Sequence, residues 1–318
     1  MKISVIGCGR WGSFITWYLD RSGHELTLYG REGSEHMRRF MQTRQNDFLT
    51  LPESVVLTND LDAALKNDII VISVDSQGLD SLCKELNRHG AKGKTVVLCM
   101  KGLEIGTCRR LSEVAGQNLD PSCRIAVWLG PGHVQEFVKG IPNCMVIDSA
   151  DVETKRFLVE TFSSDLIRFY YGTDLIGNEI GAASKNVIGI AAGMLDGYGL
   201  VTLKGALMSR GTREIARLIK ALGGNELSAY GLCHLGDYEA TVFSEHSNNR
   251  RFGERFARGE KFDKLAEGYY TAEALQQLGA RVGVELPICS AVYRMLYEGA
   301  DAWAELDVLF RRKLTNEF

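Results

Sequence analysis

The first half of the chain alternates short apolar runs with segments in which apolar residues recur every three or four positions. Runs rich in β-branched residues are typical of buried strands, whereas the longer spacing predicts amphipathic helices. The predicted strands are Lys2–Ile6, Glu25–Tyr29, Val55–Leu57, Asp68–Ser73, Thr95–Cys99, Ile125–Leu129, Cys144–Asp148 and Leu166–Tyr170. The predicted helices between them are Trp11–Arg21, Glu32–Thr43, Gly78–Arg88, Thr107–Asn118 and Val152–Phe162. This order predicts βαβ units in a parallel sheet, with ligands bound at the carboxyl ends of the strands.

The strand rhythm stops after Tyr171, and helical periodicity continues from there to the C-terminus. It begins with a segment rich in glycine and alanine from Asp174 to about Leu195. A chain of 318 residues exceeds the usual size of one domain and has room for two separate cores. We therefore predict an α/β domain over residues 1–172 and an all-helical domain over residues 173–318.

The first predicted strand runs directly into the turn Gly7-Cys8-Gly9-Arg10-Trp11-Gly12, which opens the first predicted helix. A Gly-x-Gly-x-x-Gly turn in this position is typical of dinucleotide binding. Gly7 permits the tight turn, Gly9 lets a pyrophosphate approach the backbone, and Gly12 lets the helix pack on the strand. An ordinary strand-to-helix turn is the alternative, and the placement of the turn disfavours it. The first domain is therefore predicted to be a Rossmann-type doubly wound sheet.

The end of the second predicted strand bears on which dinucleotide binds. A carboxylate about 20 residues after the turn binds the ribose 2′-hydroxyl of NAD, whereas an arginine accommodates the 2′-phosphate of NADP. The strand ends in Leu28-Tyr29-Gly30-Arg31, without a carboxylate. We predict NADP as the cofactor, with NADPH preferred and NAD as the alternative. Arg31 followed by Glu32 is also compatible with the solvated start of a helix.

Within residues 180–195, which have a helical pattern, Lys185 is the only charged residue. Gly181, Gly189 and Gly193 lie at multiples of four residues from it, so they share its helix face and leave a trough for another backbone or a ligand. Each glycine costs about 1 kcal/mol relative to alanine, and a ligand approaching Lys185 would explain that cost. A lysine that snorkels beside a tight helix crossing explains the pattern equally well.

Composition and charge exclude several functional classes. The net charge of −3 and the pI of about 6.1 leave no electrostatic footprint for nucleic acid. The eight cysteines form no Cys-x-x-Cys pair and the six histidines show no ligand spacing, so we expect free thiols, a reducing cytoplasm and no metal site. No targeting segment and no apolar stretch of membrane-spanning length are present. We expect a cytoplasmic enzyme that binds a small molecule and neither nucleic acid nor membrane, with a homodimer as the default oligomer.

Several segments spread over nearly the whole chain are more particular than a dinucleotide turn. They are Val5 to Gly12, Lys101-Gly102-Leu103-Glu104, Gly130-Pro131, the helix Glu179 to Gly193, Ser209-Arg210-Gly211, Gly236-Asp237, Ser247 to Gly253, Glu267-Gly268 and Pro287-Ile288. In this order they resemble the NAD(P)-dependent glycerol-3-phosphate dehydrogenase family. The resemblance implies the reversible reduction of dihydroxyacetone phosphate to sn-glycerol 3-phosphate, which feeds glycerophospholipid synthesis, and it favours a catalytic role for Lys185.

The resemblance also implies roles for individual residues. Lys185 would be the acid/base, Asp237 its acidic neighbour, and Lys101 would lie between nicotinamide and substrate. The implied cofactor-binding residues are Gly7, Gly9, Arg10, Trp11, Gly12, Arg31, Lys101, Val134, Asn248 and Glu267. The implied substrate-binding residues are Lys101, Gly130, Gly132, Lys185, Asn186, Asp237, Ser247, Asn248 and Asn249. The usual lysine pKa of about 10.4 is too high for a base near neutrality, so burial or Lys101 must lower it, while Asp237 opposes that shift.

The chain departs from the family's pattern mainly on the substrate side. Asn248 stands where the family has an arginine that grips the substrate phosphate and reaches the cofactor. An asparagine offers neutral hydrogen bonds without charge, and losing a charge-assisted contact costs roughly 1.5–3 kcal/mol. Arg250 or Arg251 would replace that arginine if the register shifted by a few residues.

Three further departures leave alternative functions open. Gly132 stands in place of a serine, and Asp75 stands in place of a proline. The segment 196–209 is one residue shorter than in the family and lacks the asparagine expected ahead of the Ser-Arg-Gly segment. A related dehydrogenase that acts on another small hydroxy or keto compound, without a phosphate, is one alternative. A cofactor-binding paralogue without catalysis is the other, and the retained lysines disfavour it.

Overall fold

The computed structural model describes residues 1–313 and Asn316, so residues 314, 315, 317 and 318 of the predicted second domain lie outside the description. The first half contains one eight-stranded sheet. Its strands are β1 (Lys2–Ile6), β2 (Glu25–Tyr29), β3 (Val56–Thr58), β4 (Ile69–Ile72), β5 (Thr95–Leu98), β6 (Arg124–Leu129), β7 (Asn143–Ser149) and β8 (Ile167–Tyr171). All eight predicted strands are confirmed, each to within one residue at its ends. The apolar side chains of the central strands fill the core on both faces of the sheet, whereas the edge strands β3 and β8 are partly exposed.

The strand order is β3-β2-β1-β4-β5-β6-β7-β8, and the strands from β3 to β6 pair in parallel. The expectation of a wholly parallel sheet is wrong at β7, which runs antiparallel to β6, while β8 is parallel to β7. Between β6 and β7 the chain forms only the five-residue helix Val134–Val138. Such a helix spans about 7.5 Å, too short to return along β6, which extends roughly 20 Å. Strand β7 therefore begins near the carboxyl end of β6 and runs back alongside it.

The helices within residues 1–172 connect these strands. They are α1 (Arg10–Arg21), α2 (Glu35–Thr43), α3 (Leu61–Ala64), α4 (Leu79–Arg88), α5 (Leu111–Asn118), α6 (Val134–Val138) and α7 (Val152–Phe162). The sequence pattern does not predict α3 and α6, and it starts α2 and α5 too early. Ser34 caps α2 because its hydroxyl accepts a hydrogen bond from the Met37 amide. Cys108 has a φ of +60°, which prevents a helix from beginning at Thr107.

The second half is built around one long central helix, α8 (Leu175–Gly197). The other helices are α9 (Lys204–Ala221), α10 (Asn248–Ala257), α11 (Glu267–Val282), α12 (Pro287–Tyr293) and α13 (Ala302–Phe310). Residues 179–195 of α8 are all buried, and α9, α10 and α11 pack around them. The all-helical prediction for this half is confirmed. Within the described chain, no helix combines the length and apolar character that a membrane crossing requires.

Protein atoms fill the glycine trough of α8, which corrects the idea that a ligand explains it. A Cβ atom on Gly193 would lie 1.9 Å from the carbonyl oxygen of Arg250, and one on Gly253 would lie 2.1 Å from that of Ile190. These two glycines let the backbones of α8 and α10 touch. The trough therefore holds the chain segments that surround Lys185 and does not itself admit a ligand.

Asp148 ties the end of the sheet to the start of the helical half. Its Oδ2 atom accepts hydrogen bonds from the Asp174 amide at 3.1 Å and from Asn178 Nδ2 at 2.8 Å. Its Oδ1 atom lies 3.2 Å from the Lys155 ammonium, and the carboxylate is buried. The division of the chain at Gly172 stays a prediction, and it falls between β8 and α8.

Candidate active site

Three charged side chains meet where α8 passes the carboxyl ends of the strands. Lys101 follows β5, Lys185 lies in the middle of α8, and Asp237 ends the short helical turn 235–237. The Nζ atoms of Lys101 and Lys185 lie 2.6 Å and 3.0 Å from the same Asp237 oxygen, Oδ2. Lys101 also donates to the carbonyl oxygen of Gly130, which follows β6, at 2.7 Å. These four residues predicted from the sequence are therefore brought together.

Burial dominates the electrostatics of Lys185. Its side chain is 9% exposed, and desolvation is the main reason that its pKa is lowered from 10.5 to about 8. The Asp237 carboxylate raises the pKa, and the Lys101 ammonium lowers it further. The structure thus decides a competition that the sequence left open, because desolvation and Lys101 together outweigh Asp237.

Thr241 is a partner of Lys185 that sequence reasoning missed. Its Oγ1 atom accepts a hydrogen bond from Lys185 Nζ at 2.7 Å and donates one to the Asp237 carbonyl oxygen at 2.8 Å. All three residues are buried. Thr241 follows Asp237 by four residues, and residues at that spacing share a face in helical turns, so the spacing is a signal that would find it.

A chain of amides joins the Lys101 loop to three helices. Asn186 Nδ2 donates to the Lys101 carbonyl oxygen at 3.3 Å, and Asn249 Nδ2 donates to Asn186 Oδ1 at 3.0 Å. Asn249 Oδ1 then accepts from the Gly268 amide at 2.9 Å. Two residues predicted to bind substrate, Asn186 and Asn249, therefore lie beside the loop that carries Lys101.

The start of α10 holds the other residues predicted on the substrate side. Ser247 caps the helix, and Asn248 Nδ2 donates to the Leu265 carbonyl oxygen at 3.2 Å. Arg250 lies 2.7 Å from a carboxylate oxygen of Asp196 in a mostly buried ion pair. Because Arg250 already pairs with Asp196, the structure does not support the hypothesis that it replaces, by a register shift, the family's arginine that binds the substrate phosphate.

Two departures from the family's pattern have local structural reasons. Gly132 has a φ of +152°, and a Cβ atom on it would lie 2.2 Å from the Phe137 ring, which stacks on Phe14 at 4.9 Å. A serine does not fit there unless the ring moves. Asp75 accepts a hydrogen bond from the Gly78 amide at 2.9 Å and caps the turn before α4.

The glycine turn leaves space at one position only. Gly7 has a φ of +109°, and a Cβ atom on it would lie 2.2 Å from the Ser73 carbonyl oxygen. A Cβ atom on Gly12 would lie 1.9 Å from the Gly7 carbonyl oxygen, whereas one on Gly9 would meet nothing within 4 Å. Helix α1 has no side-chain hydrogen bond at its N-cap. Open space at Gly9 beside free amide groups and the positive end of a helix fits a dinucleotide pyrophosphate.

The end of β2 lies against this turn. A Cβ atom on Gly30 would lie 2.7 Å from both Cys8 Sγ and Met37 Cβ, so only a glycine lets α2 approach the turn so closely. Arg31 follows and is exposed, and no described carboxylate forms an ion pair with it. An exposed guanidinium beside the turn fits a ribose 2′-phosphate.

The remaining residues predicted at the cofactor begin helices. Arg10 and Trp11 open α1, Val134 begins α6, and Glu267 begins α11. The Glu267 carboxylate accepts hydrogen bonds from the amide and hydroxyl of Ser76, at 3.1 Å and 2.5 Å. Burial raises the pKa of Glu267. This contact joins the helical half to the loop after β4, next to the glycine turn.

A doubly wound sheet with an open glycine turn, and a buried carboxylate that pairs two lysines at the carboxyl ends of the strands, define a dinucleotide-binding oxidoreductase. The family model for the N-terminus of NAD-dependent glycerol-3-phosphate dehydrogenase matches residues 2–155, and the model for its C-terminus matches residues 174–306. The chain therefore belongs to the NAD-dependent glycerol-3-phosphate dehydrogenase family, and the resemblance seen in the sequence is confirmed.

Similar proteins cover the whole length of the chain. A glycerol-3-phosphate dehydrogenase (NAD(P)+) from Exiguobacterium is 38% identical over an alignment of 331 positions, which covers 99% of this chain and 97% of that protein. One from Pelodictyon phaeoclathratiforme is 34% identical over an alignment of 336 positions, which covers 100% of this chain and 99% of that protein. The crystal structure of glycerol-3-phosphate dehydrogenase from Coxiella burnetii has a TM-score of 0.90 at 28% identity and covers 98% of this chain and 99% of its own.

Proposed function

We propose that the chain catalyses the reversible reduction of dihydroxyacetone phosphate to sn-glycerol 3-phosphate, with NADPH preferred, and so supplies a precursor of glycerophospholipids. The observation that carries this proposal is the pair of lysines on one buried carboxylate, Lys101 at 2.6 Å and Lys185 at 3.0 Å from Asp237 Oδ2. Reduction of a ketone needs a positioned proton donor at its oxygen, and Lys185 provides one. The named relatives at 34% and 38% identity support the same reaction.

Lys185 carries the proton in this mechanism. A nicotinamide cofactor, when bound, would supply the hydride for the substrate carbon or take it up in the reverse direction. With a pKa of about 8, Lys185 is mainly protonated at pH 7 and donates to the substrate oxygen during reduction. Above that pH its neutral amine accepts the proton during oxidation.

The partners of Lys185 orient its remaining donor. A lysine ammonium has three N–H groups. Asp237 accepts one at 3.0 Å and Thr241 accepts another at 2.7 Å, which leaves one for the substrate oxygen. Lys101 is arranged in the same way, because Asp237 and Gly130 accept two of its N–H groups. We infer that both lysines direct their third donor toward the substrate.

The cofactor assignment follows from the glycine turn and the residue after β2. We propose that Gly7, Gly9 and Gly12 shape the pyrophosphate site and that Arg31 binds the 2′-phosphate of NADPH. Support comes from the open space at Gly9 and from the exposed guanidinium of Arg31. In a binding titration NADPH should bind more tightly than NADH, and the reverse order contradicts this assignment.

The reaction is tested by following NADPH absorbance with dihydroxyacetone phosphate and with a panel of unphosphorylated ketones. Robust turnover with the phosphate ester alone supports the proposal. Turnover of an unphosphorylated ketone in preference to it favours the related dehydrogenase that Asn248 suggests. No turnover with any ketone favours a cofactor-binding paralogue, and either of these results overturns the proposed reaction.

Two further expectations concern the protein as a whole. We propose a cytoplasmic location, which the eight unpaired cysteines support, because disulfides are rare in reducing compartments. The homodimer stays a prediction, and light scattering on the purified protein at micromolar concentration decides it.

A further inference from the structure

One buried nitrogen at the edge of the cleft has no hydrogen-bond partner. Among the side-chain nitrogens and oxygens of the described residues, His133 Nε2 and Gln135 Oε1 are the buried atoms without one. His133 follows Gly132 at the end of β6 and directly precedes α6. Buried polar atoms in folded proteins nearly always have a partner, so an unpaired one beside a cleft indicates a bound group that the protein does not itself supply.

The surroundings of His133 belong to the cleft. Its ring lies edge-on against that of His246, with 5.6 Å between the ring centroids and 78° between the planes. Burial lowers the pKa of His133 to about 4, and the charges of Lys185 and Arg10 act in the same direction, whereas Asp237 raises it. The imidazole is therefore neutral near pH 7 and lies among the groups that we assign to proton transfer.

The two histidines adjoin the positions where this chain has fewer donors than its family. His133 comes directly after Gly132, which has no side chain to offer because Phe137 fills that space. His246 lies two residues before Asn248, which carries no charge. The structure thus brings together two rings from the two segments in which the family's serine and arginine are missing.

We propose that His133, held by His246, donates its Nε2–H to the phosphate group of the substrate and so determines the preference for a phosphorylated ketone. This inference rests on the proposed function, because it assigns a residue to the phosphate of dihydroxyacetone phosphate. His133 is a substrate-binding residue in this scheme and takes no part in the transfer of hydride or proton.

A neutral donor suits this position better than a third cation. Lys101 and Lys185 already place two ammonium groups on Asp237, and another positive charge beside them would lower the pKa of Lys185 further. A neutral imidazole with its proton on Nε2 still donates a hydrogen bond to a phosphate oxygen. Hydrogen bonds to charged groups are among the stronger ones, so the contact should be visible in kinetics.

The test compares His133→Phe with His133→Gln. Phenylalanine keeps a ring against His246 but has no donor, whereas the glutamine amide reaches about as far as Nε2 does. His133→Phe should lower kcat/KM for dihydroxyacetone phosphate roughly tenfold to a hundredfold, and His133→Gln should recover most of that loss. Neither variant should change kcat/KM for unphosphorylated dihydroxyacetone, or the Kd of NADPH, by more than about twofold. The matched control is His89→Phe, an exposed histidine paired with Asp62, which should behave as wild type.

Several outcomes overturn the inference. An equal loss with both ketones means that His133 contacts the reacting end of the substrate, and a weaker Kd for NADPH assigns it to the cofactor. No change with either ketone means that Nε2 binds only a buried water and not the substrate.

If His133→Phe does not fold by circular dichroism, His133→Asn takes its place in the test. The asparagine amide is too short to reach the same point, so this variant should show the loss that His133→Gln avoids. A wild-type enzyme without turnover of dihydroxyacetone phosphate refutes the proposed function instead, before any variant is compared.

Discussion

Replacing Asp237 by asparagine removes the one negative charge shared by the two lysines while keeping nearly the same shape. The carboxylate oxygen lies 3.0 Å from Lys185 Nζ and 2.6 Å from Lys101 Nζ. With the charge gone, desolvation and the Lys101 ammonium act on Lys185 without opposition, so its pKa must fall below the present value of about 8. Asp237→Asn therefore isolates the electrostatic part of the mechanism.

The size of the shift follows from the geometry. Coulomb attraction across 3.0 Å at an effective dielectric constant of about 20 is roughly 5 kcal/mol, which bounds the effect, and neighbouring opposite charges shift a pKa by about 1–3 units. A fall of about two units places the pKa of Lys185 near 6 and reduces its protonated fraction at pH 7 from roughly nine-tenths to one-tenth. Ketone reduction at pH 7 should then slow about tenfold and recover as the pH is lowered toward 5.5.

The assay is the pH profile of kcat for NADPH oxidation by dihydroxyacetone phosphate between pH 5 and 9. Reduction needs protonated Lys185, so the rate falls as the pH rises through its pKa, and this limb should move to lower pH in Asp237→Asn. Asp148→Asn is the matched control, because it neutralises a buried carboxylate whose ion pair is with Lys155, outside the cleft. A limb at the same pH in Asp237→Asn and in wild type refutes the electrostatic reasoning.

Three more predictions use stability and binding as readouts. Between about pH 8 and 10.5, Lys185 is protonated in the unfolded chain but neutral in the native protein, so the free energy of unfolding rises with pH in this range. Below pH 8 the native protein bears the full free-energy cost of burying the ammonium. Lys185→Met should therefore be more stable than wild type at pH 7, by up to about 3 kcal/mol in urea unfolding, with the difference vanishing toward pH 10.5; no gain at pH 7 contradicts this. Gly9→Ala should fold with nearly wild-type stability but weaken NADPH binding at least tenfold in a fluorescence titration, whereas Gly12→Ala should fail to fold stably, because its Cβ meets the Gly7 carbonyl oxygen. Arg31→Ala should weaken NADPH binding about tenfold or more and leave the Kd of NADH within about twofold, and an equal loss with both cofactors contradicts the 2′-phosphate assignment.

Local pattern was sufficient for most of the fold. Most strands are apolar runs with buried side chains on both faces, which is visible in any short window of sequence, whereas the edge strands β3 and β8 are partly exposed. The reversal of β7 was not visible, because strand direction depends on the length of α6 and not on the strand itself. The start of α2 was misplaced for a comparable reason, since a serine hydroxyl at Ser34 outweighed the apolar spacing.

The site was only partly accessible from the sequence. Lys101, Lys185 and Asp237 were assigned through the resemblance to the family, and no local pattern shows that residues up to 136 positions apart share one oxygen atom. The glycine face of α8 was detected, but the choice between a ligand and a helix crossing stayed open, because spacing shows where space exists and not what fills it. His133 escaped notice because a lone histidine after a glycine carries no signal until its buried nitrogen is seen to lack a partner.

The central claim is that Lys185 transfers the proton and that the glycine turn holds the cofactor independently of it. Lys185→Ala tests this most directly when turnover of dihydroxyacetone phosphate and a binary NADPH titration are measured on the same preparation. Turnover should fall roughly a hundredfold to ten-thousandfold, the usual contribution of a positioned proton donor, with the Kd of NADPH within about twofold of wild type. Near-normal turnover, or NADPH binding lost together with activity in a folded protein, would contradict it.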